Sequence, residues 1–114
     1  MAQYVFTMNR VIIGAGTFAD DRGCAVSCTG AGEYFIRVGV AHEISARMRM
    51  MGEGAQTAAD AVLAEVAALG GTGGVIVAAP DGSAAASFTT PGMYRGLADA
   101  GGRQSVAIYA DEAL

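Results

Sequence analysis

A glycine-rich turn at residues 29–32, Thr-Gly-Ala-Gly, is the best candidate for chemistry in this chain. It follows a predicted strand and precedes the strongest helical pattern of the sequence. At such a junction the backbone N–H groups of the turn point outward, with the positive end of the helix dipole behind them. That arrangement stabilises an anion, either a phosphate or the oxyanion that develops in acyl transfer. The spacing is equally compatible with a plain turn in which Thr29 caps the helix.

A second glycine motif, Gly-Ala-Gly-Thr-Phe-Ala at residues 14–19, matches the G-x-G-x-x-G/A pattern of dinucleotide-binding sites. Such a site requires a helix that begins at the motif, because the helix N-terminus holds the pyrophosphate. Here Asp20-Asp21-Arg22-Gly23 predicts a turn, and a strand is predicted to follow it. We therefore interpret these glycines as residues of tight turns.

Few other residues could act in catalysis or bind a metal ion. His42 lies inside the first predicted helix, where we expect a half-buried side chain with a local partner rather than a catalytic base. Cys24 and Cys28 are four residues apart in a predicted strand, so their Cα atoms lie roughly 13 Å apart and no disulfide can join them. With one histidine in the chain, the sequence predicts no metal site and no cofactor. Reduced thiols indicate the cytoplasm.

Two helices are predicted next to the turn. From Glu33 onward apolar residues recur at every fourth position, which predicts one continuous helix as far as the glycines at 52 and 54. Its expected buried face is Ile36, Val40, Ile44 and Met48, flanked by Phe35, Ala41 and Met51. The second helix is expected to begin after Gly54 as N-cap and to end at Gly70-Gly71. Its apolar stripe is Ala59, Val62, Leu63, Val66 and Leu69.

The remaining pattern predicts strands and therefore an α+β fold. Residues 24–28 form a strand of small side chains, and residues 75–79 are apolar enough for a strand covered on both faces. The turn signal Pro80-Asp81-Gly82 predicts a hairpin that returns along residues 83–88. Residues 105–109 are a further short strand. The order strand, helix, helix, strand, strand predicts one antiparallel sheet layer with two helices packed on one face.

Composition excludes several classes of protein. The chain has 114 residues, of which 53% are hydrophobic and 16% charged, so we expect one ordered domain. Its apolar runs are too short for a membrane-spanning helix. All seven basic residues are arginines scattered along a chain of net charge −4, which is not the pattern of a nucleic-acid surface. We expect no partner of either kind.

Several blocks in a fixed order resemble the β-subunit of the plant-type L-asparaginase/isoaspartyl peptidase family. These blocks are residues 14–19, 25–33, 35–37, 69–74 and 88–95. The resemblance extends from residue 11 to residue 114, and residues 1–10 do not match. The predicted domain organisation is thus an unmatched segment 1–10 followed by a β-subunit-like domain 11–114.

The resemblance implies an N-terminal-nucleophile hydrolase with an αββα sandwich, of which this chain would form part. Family members cleave themselves at a Gly–Thr bond, and the freed threonine attacks the side-chain amide of asparagine or the isopeptide bond of a β-aspartyl dipeptide. By the same resemblance, the Thr29 hydroxyl and the Gly30 N–H stabilise the oxyanion. Thr29, Gly30, Ala31 and Gly32 together form the substrate loop.

Departures from the family pattern affect the expected activity. The matching sequence begins after the family's nucleophilic threonine and after the loop whose Arg and Asp hold the substrate. We expect the chain to be truncated at its N-terminus and inactive alone, completed by an α-subunit-like partner or a homo-oligomer. Gly16-Thr17 and Gly71-Thr72 do not lie in the family's cleavage position, and Thr89 and Pro91 differ from the residues that the family usually has there.

The alternative functions are a non-catalytic interaction domain and a small anion- or nucleotide-binding module. A further hypothesis is that residues 4–8 cover an exposed sheet edge.

Overall fold

The computed structural model describes residues 12–113, which form six strands and three helices. The hypothesis for residues 4–8 lies outside the described residues. The strands are β1 (Thr17–Ala19), β2 (Ala25–Gly30), β3 (Gly73–Ala78), β4 (Ala84–Phe88), β5 (Gly92–Ala98) and β6 (Gln104–Tyr109). The helices are α1 (Gly32–Val38), α2 (Val40–Met51) and α3 (Ala55–Ala68).

The first four strands form one antiparallel sheet in the order β1-β2-β3-β4. The predicted strands at 24–28, 75–79 and 83–88 therefore lie in the same sheet. The turns predicted at 20–23 and 80–82 are confirmed: the N–H of Gly23 donates to the carbonyl of Asp20, and that of Gly82 to the carbonyl of Ala79. The glycines at 14 and 16 lead into β1, which confirms that no dinucleotide-binding helix follows them.

The prediction of a single sheet is wrong. The strand predicted at 105–109 is present as β6, but it pairs with β5 in a separate two-stranded sheet, the β5–β6 ribbon. We did not predict β5 from the sequence. Its seven residues include Gly92 and Gly96, and glycine is depleted in strands, so its local pattern is weak. Pairing with β6, rather than local propensity, makes this segment a strand.

The predicted continuous helix from Glu33 is also wrong, because it breaks at Gly39. This glycine has φ +67°, the left-handed conformation that ends α1, and its N–H donates to the carbonyl of Phe35. The break rotates α1 relative to α2, so the two helices do not share the predicted face. Phe35 is fully buried, whereas Ile36 is 49% exposed and Met51 63%.

The third helix follows the prediction closely. Gly54 is its N-cap, and four of the five predicted stripe residues are buried: Ala59, Val62, Leu63 and Val66. Leu69 is 40% exposed, because it is the C-cap and lies beyond the stripe. The N–H of Gly70 donates to the carbonyl of Ala67, and that of Gly71 to the carbonyl of Val66. These two bonds are a Schellman motif, so the glycine pair ends the helix as expected.

The core lies between the helices and one face of the four-stranded sheet. Alternate sheet residues are buried on that face, as are the inward residues of all three helices. The core side chains include Val26, Cys28, Val75 and Val77 from the sheet and Phe35, Val40, Ile44, Val62 and Val66 from the helices. The fold is therefore α+β with three helices, not two, on one sheet face. No helix among residues 12–113 is long and apolar enough to cross a membrane.

Candidate functional site

The turn at residues 29–32 joins β2 to α1, as predicted. Thr29 and Gly30 are the last two residues of β2, and Gly32 is the first residue of α1. Ala31 is the N-cap, with φ −70° and ψ 97°, and no side chain makes a capping hydrogen bond. The interpretation of Thr29 as a helix cap is therefore wrong. The order strand, turn, helix is correct.

Gly30 is held in place by unusually close backbone packing. Its φ is +144°, which L side chains rarely adopt. A Cβ at this position would lie 2.5 Å from the Cα of Gly73 and 2.5 Å from the carbonyl oxygen of Thr72. The ring of Phe35 closes the same space, 3.0 Å from that Cβ position. Only glycine fits here, because β2 and β3 approach each other beneath a buried aromatic ring.

The amide of Ala31 is not free to bind an anion. It donates to the carbonyl oxygen of Thr72 at 2.9 Å. The expectation that the N–H groups of the turn all point outward is thus wrong for this residue, because the turn is fastened to the start of β3. Since α1 has only seven residues, its dipole is also short. The anion-binding role predicted for the whole turn is therefore confined to its first residues, Thr29 and Gly30.

Thr29 lines a cleft of about 310 Å³ on the sheet face opposite the helices. The side chains that alternate with it along β2, Val26 and Cys28, face the core. The opposite wall of the cleft is the first half of β5, from Met93 to Gly96. Gly30, Ala31 and Gly32 do not line this cleft, and Gly32 is buried. Of the four predicted substrate-binding residues, Thr29 alone lines this cleft.

Arg95 builds the wall of this cleft, and the sequence analysis did not assign it a role. Its guanidinium donates to the carbonyl oxygens of Met93, Ile108, Tyr109 and Glu112, at 2.7–3.2 Å. It also lies 5.0 Å from the ring centroid of Phe88 at the end of β4. The four carbonyl acceptors tie β5 to β6 and to the segment after it, and the cation–π contact with Phe88 links the β5–β6 ribbon to the main sheet. The sequence feature that could have pointed to Arg95 is its place in block 88–95, which resembles the family.

The other candidate residues, His42 and the two cysteines, make packing contacts. His42 is exposed on α2, not half-buried as predicted, and its ring meets that of Phe18 edge to face at 5.0 Å between centroids. Cys24 and Cys28 are buried free thiols, which confirms that no disulfide joins them. Burial raises the pKa of the Cys28 thiol to about 12. Among residues 12–113 no three His, Cys, Asp or Glu side chains form a group that could hold a metal ion.

Because the Cys28 thiol is buried, the stability of the fold is expected to depend on pH in the alkaline range. The pKa of this thiol is about 12 in the folded chain against an ordinary 9.0, so the unfolded state loses its proton first. We expect the free energy of unfolding to fall as pH rises from about 9 to 12, by up to about 1.4 kcal/mol per pH unit. Urea unfolding under reducing conditions at pH 8, 9, 10 and 11 measures this slope. Cys28→Ala is expected to flatten it, and an unchanged slope in that variant would contradict the assignment.

Comparison with known proteins gives one consistent result. A family model described as Asparaginase matches residues 9–108. The isoaspartyl peptidase of Escherichia coli (strain K12) is 41% identical over 102 residues, which are 89% of this chain and 32% of that protein. The probable isoaspartyl peptidase/L-asparaginase 2 of Arabidopsis thaliana is 40% identical over 98 residues, 86% of this chain and 30% of that protein. The chain spans about a third of the length of these curated relatives.

Proposed function

Since the chain belongs to the asparaginase family, as the match over residues 9–108 shows, we propose that it supplies the oxyanion-binding part of an amide-hydrolysing site. The resemblance inferred from the sequence blocks is confirmed. The proposed substrates are asparagine and β-aspartyl dipeptides, in keeping with the names of the relatives. The proposed oxyanion donors are the Thr29 hydroxyl and the Gly30 N–H, and residues 29–32 form the substrate loop.

The observation that carries this proposal is the position of Thr29. It stands at the end of a central strand, lines an open cleft, and is followed by a glycine that the packing of Gly73 and Phe35 holds still. An oxyanion donor must be fixed before the reaction, because its benefit comes from not having to reorganise. A rigid strand end next to a cleft meets that requirement.

The proposed activity needs a nucleophile from outside the matched stretch. Removing the nucleophile of a hydrolase lowers turnover on the order of a million-fold. One oxyanion donor contributes only about 3 kcal/mol to the transition state. The oxyanion element therefore assists an attack that another segment performs, and residues 12–113 do not catalyse hydrolysis by themselves.

The open face of the four-stranded sheet is the proposed contact for the segment that completes the site. Ile76 in the middle of β3 is 54% exposed on this face. Small side chains surround it, and a wide cleft of about 1160 Å³ separates this face from the second half of the β5–β6 ribbon. A second sheet layer there gives the αββα sandwich of the family, supplied by an α-subunit-like partner or by a second copy. The reduced cysteines favour the cytoplasm as the location.

Reconstitution with a family segment tests the proposal. The chain is co-expressed with the part of the E. coli isoaspartyl peptidase that lies outside the matched stretch, which by the family resemblance is expected to supply the nucleophilic threonine. We expect ammonia release from L-asparagine and aspartate release from a β-aspartyl dipeptide by the assembly, and none by the 114-residue chain. Thr29→Ala is expected to lower kcat by about 10²–10³, the loss typical of one oxyanion donor.

The matched control is Thr57→Ala, since Thr57 is exposed on α3, away from the cleft. This variant is expected to leave kcat unchanged. Equal turnover by the Thr29→Ala and unsubstituted assemblies would overturn the assignment of Thr29. An inactive unsubstituted assembly, shown to be folded and associated, would overturn the proposed activity and favour a non-catalytic interaction domain.

A further inference from the structure

Residues 71–73, which lead from α3 into the start of β3, contact the proposed oxyanion turn directly. The carbonyl oxygen of Thr72 accepts the Ala31 N–H at 2.9 Å. Gly73 is the β-ladder partner of Gly30. A Cβ on Gly73 would lie 2.4 Å from the carbonyl oxygen of Thr29, so the two backbones touch without any side chain between them. The position of residues 71–73 therefore sets the position of the turn.

The hydroxyl of Thr89, immediately after β4, forms hydrogen bonds with this segment. The Thr89 Oγ1 accepts the Gly73 N–H at 3.0 Å. The same hydroxyl lies 3.2 Å from the carbonyl oxygen of Gly71 and 3.4 Å from that of Gly73, either of which can accept its proton. The backbone N–H of Thr89 also donates to the carbonyl of Gly73 at 2.9 Å. Both ends of this glycine-rich segment, Gly71 and Gly73, are thus hydrogen-bonded to Thr89.

We propose that Thr89 is a positioning residue for the Thr29–Gly30 oxyanion turn, acting through the backbone of residues 71–73. This inference rests on the proposed function, because it concerns the same turn. Thr89 itself contacts residues 71–73 and not the reacting atoms. Its hydroxyl fixes Gly73 against Gly30 and, through Thr72, fixes the amide of Ala31.

The chemical need for such a residue follows from what an oxyanion site does. The donors must stand within a few tenths of an ångström of the position where the negative charge develops, before the charge appears. Four of the seven residues from Leu69 to Val75 are glycines, which lack side chains that could lock this approach. The Thr89 hydroxyl supplies the fixed point from the neighbouring strand.

Amide hydrogen exchange of the 114-residue chain tests the coupling without any need for activity. Thr89→Val keeps the shape of the side chain but leaves the Gly73 N–H without its acceptor. We expect exchange at Gly73 and Ala31 to accelerate at least about fivefold, the effect of losing one hydrogen bond. Exchange at Leu63, in the middle of α3, is expected to change much less, which separates a local effect from loss of global stability.

Two matched variants complete the series. Thr89→Ser keeps the hydroxyl and is expected to restore slow exchange at Ala31. Thr90→Val removes the neighbouring hydroxyl, which donates to the carbonyl of Gly92, and is expected to leave exchange at Ala31 unchanged. Unchanged exchange at Ala31 in Thr89→Val, or equal acceleration at Ala31 and Leu63, would overturn the proposal.

Kinetics of the reconstituted assembly test the catalytic consequence. Thr89→Val is expected to lower kcat about tenfold or more with little change in KM, because the oxyanion that the Thr29 hydroxyl and the Gly30 N–H are proposed to bind forms only in the transition state. Thr89→Ser is expected to restore kcat. An active unsubstituted assembly whose kcat is insensitive to Thr89→Val would overturn the positioning role. Inactivity of the unsubstituted assembly would instead count against the proposed function, and the exchange experiment would still decide whether Thr89 controls the turn.

Discussion

Replacement of Gly30 by alanine is expected to destabilise the fold strongly. The new Cβ would lie 2.5 Å from the Cα of Gly73 and from the carbonyl oxygen of Thr72. Both obstacles are backbone atoms, so no side chain can swing aside to make room. The positive φ of Gly30 adds strain of about 1–2 kcal/mol, and the clash adds a further 1–3 kcal/mol.

Thermal unfolding followed by circular dichroism measures this effect. A loss of about 3 kcal/mol lowers Tm by roughly 12 °C in a domain of this size. The matched control is Gly52→Ala, since Gly52 has φ +69° but nothing within 4 Å of its Cβ position. That variant carries the conformational strain alone and is expected to lower Tm by only a few degrees. Equal Tm values for the two variants would show that β2 and β3 do not approach as closely as described.

Replacement of Phe35 by alanine is expected to have the second large effect. Phe35 is fully buried, and its ring packs against the point where Gly30 of β2 and Gly73 of β3 pair. Deleting a buried phenylalanine side chain typically costs about 3–5 kcal/mol. In the reconstituted assembly the same change should also lower kcat, because the turn would lose the ring that holds it. The measurement is urea unfolding of the chain together with turnover of the assembly.

The control for Phe35 is its neighbour. Ile36 is 49% exposed, so Ile36→Ala is expected to cost less than about 1 kcal/mol. This pair also distinguishes the broken helix from the continuous helix that the periodicity predicted. A continuous helix would bury Ile36 on the face of Val40 and Ile44. If Ile36→Ala proved more destabilising than Phe35→Ala, the break at Gly39 would be refuted.

The local patterns of the sequence were reliable where a segment's structure is decided by its own residues. Gly54 and Gly70-Gly71 delimited the third helix correctly, because caps depend on the backbone freedom of one or two residues. The Pro80-Asp81-Gly82 turn and the strand pair around it were confirmed for the same reason. The periodicity from Glu33 onward was misleading, since Gly39 can stand inside a helical pattern or end it, and contacts with other segments decide which, among them the bonds from the Ala41 and His42 N–H groups to the carbonyls of Ala15 and Gly14.

The sequence by itself determined the family, the α+β class and the order of strand, turn and helix around residues 29–32. Those properties can be inferred from the sequence because they depend on short motifs and on the backbone preferences of individual residues. Only the tertiary structure decided that the Ala31 amide is occupied by Thr72, that Gly32 is buried, and that Arg95 and Thr89 hold the walls of the site. These facts depend on contacts between residues 16 to 41 positions apart in the chain, and such contacts are settled by how the strands pair and not by any local pattern.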